Sequence, residues 1–77
     1  MNITSVTNII EKNLKEFKRI VELLKIKVKN IIKIKYIEDP LDGDQLQILI
    51  IDEGKIVVKN DFMVGAVWVE SDIELEL

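Results

Sequence analysis

The chain predicts an α+β fold, one N-terminal amphipathic helix packed on a mostly antiparallel sheet of four to five strands, from three observations. Apolar residues recur at helical spacing in the first third of the chain, they alternate with polar ones afterwards, and the turn-forming residues fall between the alternating runs. No internal repeat, linker or low-complexity segment divides the 77 residues, so residues 1–77 are read as a single domain. A chain this short buries only about 60–65% of the surface it exposes when unfolded, so its own core is marginal. With no Cys and no His, disulfides are excluded and a metal is reduced to carboxylate ligands. Self-association is the stabilising supplement that remains.

The helix comes first. From Ile10, the residues Leu14, Phe17, Val21, Leu24, Val28 and Ile31 advance by alternating steps of four and three, with Ile9 and Ile20 widening the stripe. Asn8 with Glu11 three residues later forms a capping start, for which Ser5 and Thr7 compete. After Leu24 the pattern shifts: Ile26, Val28, Ile32, Ile34 and Tyr36 alternate with Lys25, Lys27, Lys29, Lys33 and Lys35. The helix is therefore expected over about 8–27 and the first strand over about 31–37.

Strands and turns fill the remainder. The segment from Glu38 to Asp44 holds the only Pro, which fixes φ, and Gly43, which admits a positive φ, so it reads as a hairpin connection. Further strands follow over 45–52, 55–59, 64–70 and 73–77, with turns at Glu53-Gly54, Asn60-Asp61 and Ser71-Asp72. One face of the sheet is assigned Ile32, Ile34, Leu46, Ile48, Ile50, Ile56, Val58, Val67, Val69, Ile73 and Leu75, packed under the helix. The other is assigned Ile31, Ile37, Leu49, Ile51, Val57, Val64 and Trp68, too much apolar surface for a solvated face of a small monomer. A single helix covers one side only, so Leu49, Ile51, Val57 and Trp68 are the candidate interface residues of a homo-oligomer. Trp68 is the only Trp, a large amphipathic ring suited to anchoring such a contact.

Charge is distributed unevenly along the chain. Residues 1–37 hold nine basic and three acidic residues, residues 38–77 two and eleven, a dipole of +6 and −9 within the net −3. Lys12 to Lys35 thus invites a nucleic-acid reading, in which a basic helix and strand contact phosphates. Glu11, Glu16 and Glu22 interrupt the helix, aromatics are few and the pI is near 4.9, so nucleic acid is not the expected partner. No apolar run approaches the roughly 18 residues a membrane-spanning helix needs, and Met1-Asn-Ile-Thr-Ser-Val has neither the basic region nor the apolar run of a signal peptide. A cytoplasmic location is expected, and 32% charged residues with abundant Ile and Lys resemble thermophile usage.

The inventory of reactive groups is thin. Without His the commonest general base and transition-metal ligand is missing, and without Cys so is the strongest nucleophile. Ser5 and Ser71 have no His to activate them, and Arg19 is the only Arg. Asp39, Asp42, Asp44 and Asp52 are the residues from which an oxygen cage for Mg²⁺ or Ca²⁺ could be drawn, but their spacing departs from an EF-hand and turn chemistry alone explains them. No catalytic, cofactor-binding or metal-binding residue is assigned.

Two fragments resemble the nucleotidyltransferase superfamily. Ser71-Asp72-Ile73-Glu74-Leu75 is similar to its acidic element, and the helix followed by Val28-Lys-Asn-Ile-Ile-Lys-Ile and Leu46-Gln-Ile-Leu-Ile-Ile is similar to its opening helix and strands. No Gly-Ser pair precedes either fragment, and Gln45 and Gln47 stand where the acidic pair belongs. What the resemblance implies is a catalytically dead relative covering residues 8–52, without a two-metal site. The expected function is a small, non-catalytic, self-associating interaction or regulatory module. The alternatives are a nucleic-acid-binding protein using the basic helix and first strand, and a degenerate nucleotidyltransferase-like or metal-dependent domain.

Overall fold

The computed structural model describes residues 3–75, with side chains from residue 12 onward. Helix α1 (Ile3–Lys27) is followed by strands β1 (Ile31–Glu38), β2 (Gln45–Ile51), β3 (Gly54–Asp61) and β4 (Ala66–Ser71). The strands form one antiparallel sheet in the order β1-β2-β3-β4, an up-and-down meander with the helix on one face. This is the predicted α+β architecture, with four strands.

The seam does what its spacing predicts. Phe17, Val21 and Leu24 are buried against Leu49 and Ile51 of β2 and Ile56 and Val58 of β3, with Ile20, Val28, Val67 and Val69 packed around them. The helix lies over β3 and β4 and reaches β1 mainly through the Phe17 ring, which meets Tyr36 edge-on at 6.5 Å. Lys25 and Lys27 in the last turn place positive charge at the negative end of the helix dipole. Helix α1 begins by Ile3, earlier than the expected start, so Asn8 lies within it, not at its cap.

Turn chemistry sets the hairpins. In the β1–β2 loop the Asp39 carboxylate accepts the Leu41 and Asp42 N–H groups at 2.8 and 3.2 Å, and Gly43, at φ 76°, donates its N–H to the Asp39 carbonyl at 2.9 Å. The β2–β3 turn is Asp52-Glu53, one residue earlier than expected, and Gly54 opens β3 opposite Ile51 at φ 143°. Asn60 is no turn residue. Strand β3 runs on to Asp61, and the turn is 62–65, pinned by the Val64 N–H donating to the Asp61 carboxylate at 3.0 Å. Val64 therefore lies in a turn, and β4 starts two residues later than expected.

The expected strand over 73–77 is absent from the described residues. Past β4 the chain turns in under the end of the helix, where Ile73 and Leu75 pack on the core, while 76–77 lie outside the described residues.

Candidate functional site

Register decides which side chains share a face, because directly opposed residues of an antiparallel pair point the same way. Leu49 opposes Ile56, and Gln47 opposes Val58, which in turn opposes Val69, so these residues lie beneath the helix. Two of the four candidate interface residues are thereby reassigned. Leu49 is 0% and Ile51 3% exposed, both in the helix-side core, whereas Val57 and Trp68 lie on the opposite face.

The error has a physical origin in β2. Both of its alternating sets are apolar, Leu46, Ile48 and Ile50 on one side and Leu49 and Ile51 on the other, so the only parity marker was Gln45 and Gln47. Polar residues suit a solvated side, yet both glutamines share the side of Leu49 and Ile51, which faces the helix. Their amides are satisfied there. The Gln47 side chain donates to the Lys35 carbonyl at 2.8 Å, and Gln45 donates to the Tyr36 hydroxyl at 2.9 Å while accepting from Asn60 at 3.0 Å. Asn60 is fully buried, and among the described residues its side-chain oxygen has no partner.

The face away from the helix is the most extensive candidate site. Two rows cross the whole sheet there, Lys35–Ile48–Val57–Glu70 and Ile37–Leu46–Lys59–Trp68, with Lys33–Ile50–Lys55 as a shorter third. Leu46, Ile48, Ile50, Val57 and Trp68 are half-buried only by their neighbours, and no described element lies against them. The molecule is 15 Å deep along its shortest axis, which accommodates a sheet and one helix layer. Trp68 is held between charges: the Lys59 ammonium sits 5.4 Å from its ring centroid and its indole N–H donates to Glu70 at 3.4 Å.

Other candidates resolve into local structure. Asp44 is buried and accepts the Phe62 N–H at 3.0 Å, tying the β1–β2 loop to the β3–β4 turn, and Asp39 caps its own loop. Among the described residues no three acidic groups converge as a metal site would require. Of the fragments similar to the nucleotidyltransferases, the Asp72 carboxylate accepts the Lys55 N–H at 2.9 Å and the Ser71 hydroxyl accepts the Ile73 N–H at 3.1 Å, so both side chains close turns. On the outer helix face Arg19 is bonded to Glu16 and Lys25 lies 3.5 Å from Glu22. The Arg19 bond holds the Glu16 carboxyl below its ordinary value, aided by the nearby charges of Arg19 and Lys12.

A groove of about 700 Å³ opens between the helix C-terminus and the tail, lined by Leu24, Val28, Ile51, Ile73 and Leu75 with Lys27 and Glu53 among its polar residues. Among the described residues no helix is long and apolar enough to cross a membrane. Compared with known proteins, the chain matches no family model, no curated protein and no solved structure.

Proposed function

We propose that the chain is a small, non-catalytic interaction module that associates with a second copy of itself through the sheet face opposite the helix. The observation that carries this reading is the apolar field of Leu46, Ile48, Ile50, Val57 and Trp68, contributed by three adjacent strands and left without a covering layer. Apolar surface of that continuity is what a second layer removes from water, and a domain of this size gains stability from removing it. Charged residues frame the field, with Lys33, Lys35 and Lys55 toward β1 and the helix C-terminus and Glu70 at β4, while Lys59 within it lies against the Trp68 ring. That arrangement suits an interface with an apolar centre and polar rim.

Sedimentation equilibrium of the parent and of Ile48→Glu and Trp68→Glu tests it. The parent is expected to associate at tens of micromolar, roughly where interfaces of modest size operate. Each variant is expected to be monomeric and folded by circular dichroism. A monomeric parent, or variants that assemble as the parent does, would overturn the reading.

A further inference from the structure

The two edges of the sheet are chemically unlike. Strand β1 has seven of its eight residues exposed, among them Ile32, Ile34, Tyr36 and Ile37, and it carries Lys33 and Lys35. It has no Pro, no described element covers its outer side, and its one bulge lies at the start, between Ile31 and Lys33. A strand of that length with free backbone donors and acceptors is a template for another strand. Lysines alone can blunt an edge, but here the opposite edge answers them: β4 ends in Glu70 and Ser71, with Asp72 next.

We infer that a second copy docks edge to edge, its β1 pairing antiparallel with β4 of the first, so that one sheet continues through both molecules. The geometry follows from the meander. Strands β1 and β4 run in opposite directions, so a copy laid alongside with the same orientation presents β1 antiparallel to β4 with both helices on the same side. Extending each cross-strand row into the next copy gives the contacts. The row Lys35–Ile48–Val57–Glu70 brings Glu70 against the second copy's Lys35, and the row Ile37–Leu46–Lys59–Trp68 brings Trp68 against its Ile37. On the helix side, Tyr36–Gln47–Val58–Val69 brings Val69 against Tyr36, which is 48% exposed in the single chain. Opposite charges and apolar pairs thus meet in one register, the combinations that stabilise cross-strand neighbours. A two-fold pairing of two β1 strands over most of their length, centred on Ile34 or Lys35, sets lysine against lysine. Two β4 edges centred on Trp68 or Val69 set Glu70 against Ala66 or Trp68 and leave both glutamates without a facing lysine. The head-to-tail pairing is heterologous and leaves a free β1 at one end and a free β4 at the other, so it extends beyond two copies.

This inference shares with the proposed function the premise that the partner is a second copy, and differs in the surface used. The test is a charge-exchange series read by sedimentation velocity at low salt, with Ile48→Glu alongside to disable the face alone. Lys35→Glu and Glu70→Lys are each expected to weaken association about tenfold, since each turns an attraction into a repulsion at the junction. The double variant is expected to recover, and so is an equimolar mixture of the two single variants. Amides of β1 are expected to gain protection from hydrogen exchange as parent concentration rises. Association unchanged by both single variants but lost in Ile48→Glu overturns the edge pairing and leaves the face reading standing. Association lost in the charge variants but kept in Ile48→Glu does the reverse. Assembly of Lys35→Glu that is as strong with the parent as with Glu70→Lys, both of which keep Lys35, would show β1 pairing with β1 and overturn the inference, and a parent monomeric throughout overturns both.

Discussion

Strands β1 and β3 are built from much the same residues and meet opposite fates. Each is eight residues long and mixes β-branched aliphatics with lysine, yet β3 alternates between fully and partly buried positions while β1 is exposed almost throughout. Composition does not separate them. Position does: β3 is flanked by two strands and lies under the helix, whereas β1 is an edge that the helix reaches only near Phe17 and Tyr36. Burial of an alternating strand is thus set by where the single helix comes to rest, and the sheet is wider than that helix. An apolar edge strand that meets the helix at Tyr36 and that no described element covers on its other face is what makes this chain a candidate for partners.

The largest expected effect tests that contrast directly. Leu24→Ala and Ile56→Ala empty fully buried positions of the helix–β3 contact and are expected to destabilise by about 2–5 kcal/mol each. Ile34→Ala on β1, 45% exposed, is expected to change stability by about 1 kcal/mol or less. Urea denaturation of the three variants at a concentration where the chain is monomeric checks it. Equal losses at Ile34 and Ile56 would mean that β1 is covered in solution and the comparison is void.

Sequence made the architecture legible because its strongest signals are local. The seam through Phe17, Val21 and Leu24, the loop at Pro40 and Gly43, and the β-branched run Ile56-Val57-Val58 of β3 each name an element without knowledge of its neighbours. What stayed hidden depends on tertiary placement. In β2 both faces are apolar, so nothing local says whether Leu49 or Ile48 meets the helix, and the polar Gln45 and Gln47 lie on the helix side, held by hydrogen bonds to Tyr36 and the Lys35 carbonyl. Asn60 misled in the same way: it has the composition of a turn but occupies a core position opposite Gln45. Val57 and Trp68 lie on the open face as expected, although apolar residues flank both, Ile56 and Val58 about one and Val67 and Val69 about the other, whereas Leu46, Ile48 and Ile50 lie there against expectation.

A smaller effect is expected at the turn that leads from β2 into β3. Gly54 sits at φ 143°, where L side chains are strained, and an added Cβ would overlap the Asp72 carboxylate that accepts the Lys55 N–H. Gly54→Ala is expected to destabilise by about 1–3 kcal/mol. Asp72→Ala in the same background is expected to relieve the overlap but not the strain, so the two losses should be less than additive in a double-mutant cycle. Full additivity would mean that Asp72 does not close this turn.

The smallest effect lies on the outer face of the helix, which like β1 faces solvent and contributes little to the core. Glu16 and Arg19 are bonded across one turn; the guanidinium holds the Glu16 carboxyl below its ordinary value, and the carboxylate in turn raises that of the Arg19 guanidinium. A carboxyl depressed in the folded state contributes stability above its unfolded value and loses that contribution as pH falls through the folded one. The window is therefore acidic, beginning at the ordinary glutamate range and ending below it, and the contribution is small because the pair is exposed and screened by salt. Carboxyl chemical shifts followed by NMR should show Glu16 titrating at lower pH in the parent than in Arg19→Gln, with the difference shrinking in high salt. An identical titration in both would mean that the pair does not persist in solution. Arg19 would then be free for a phosphate, and the basic helix would regain the nucleic-acid reading that its internal pairing now opposes.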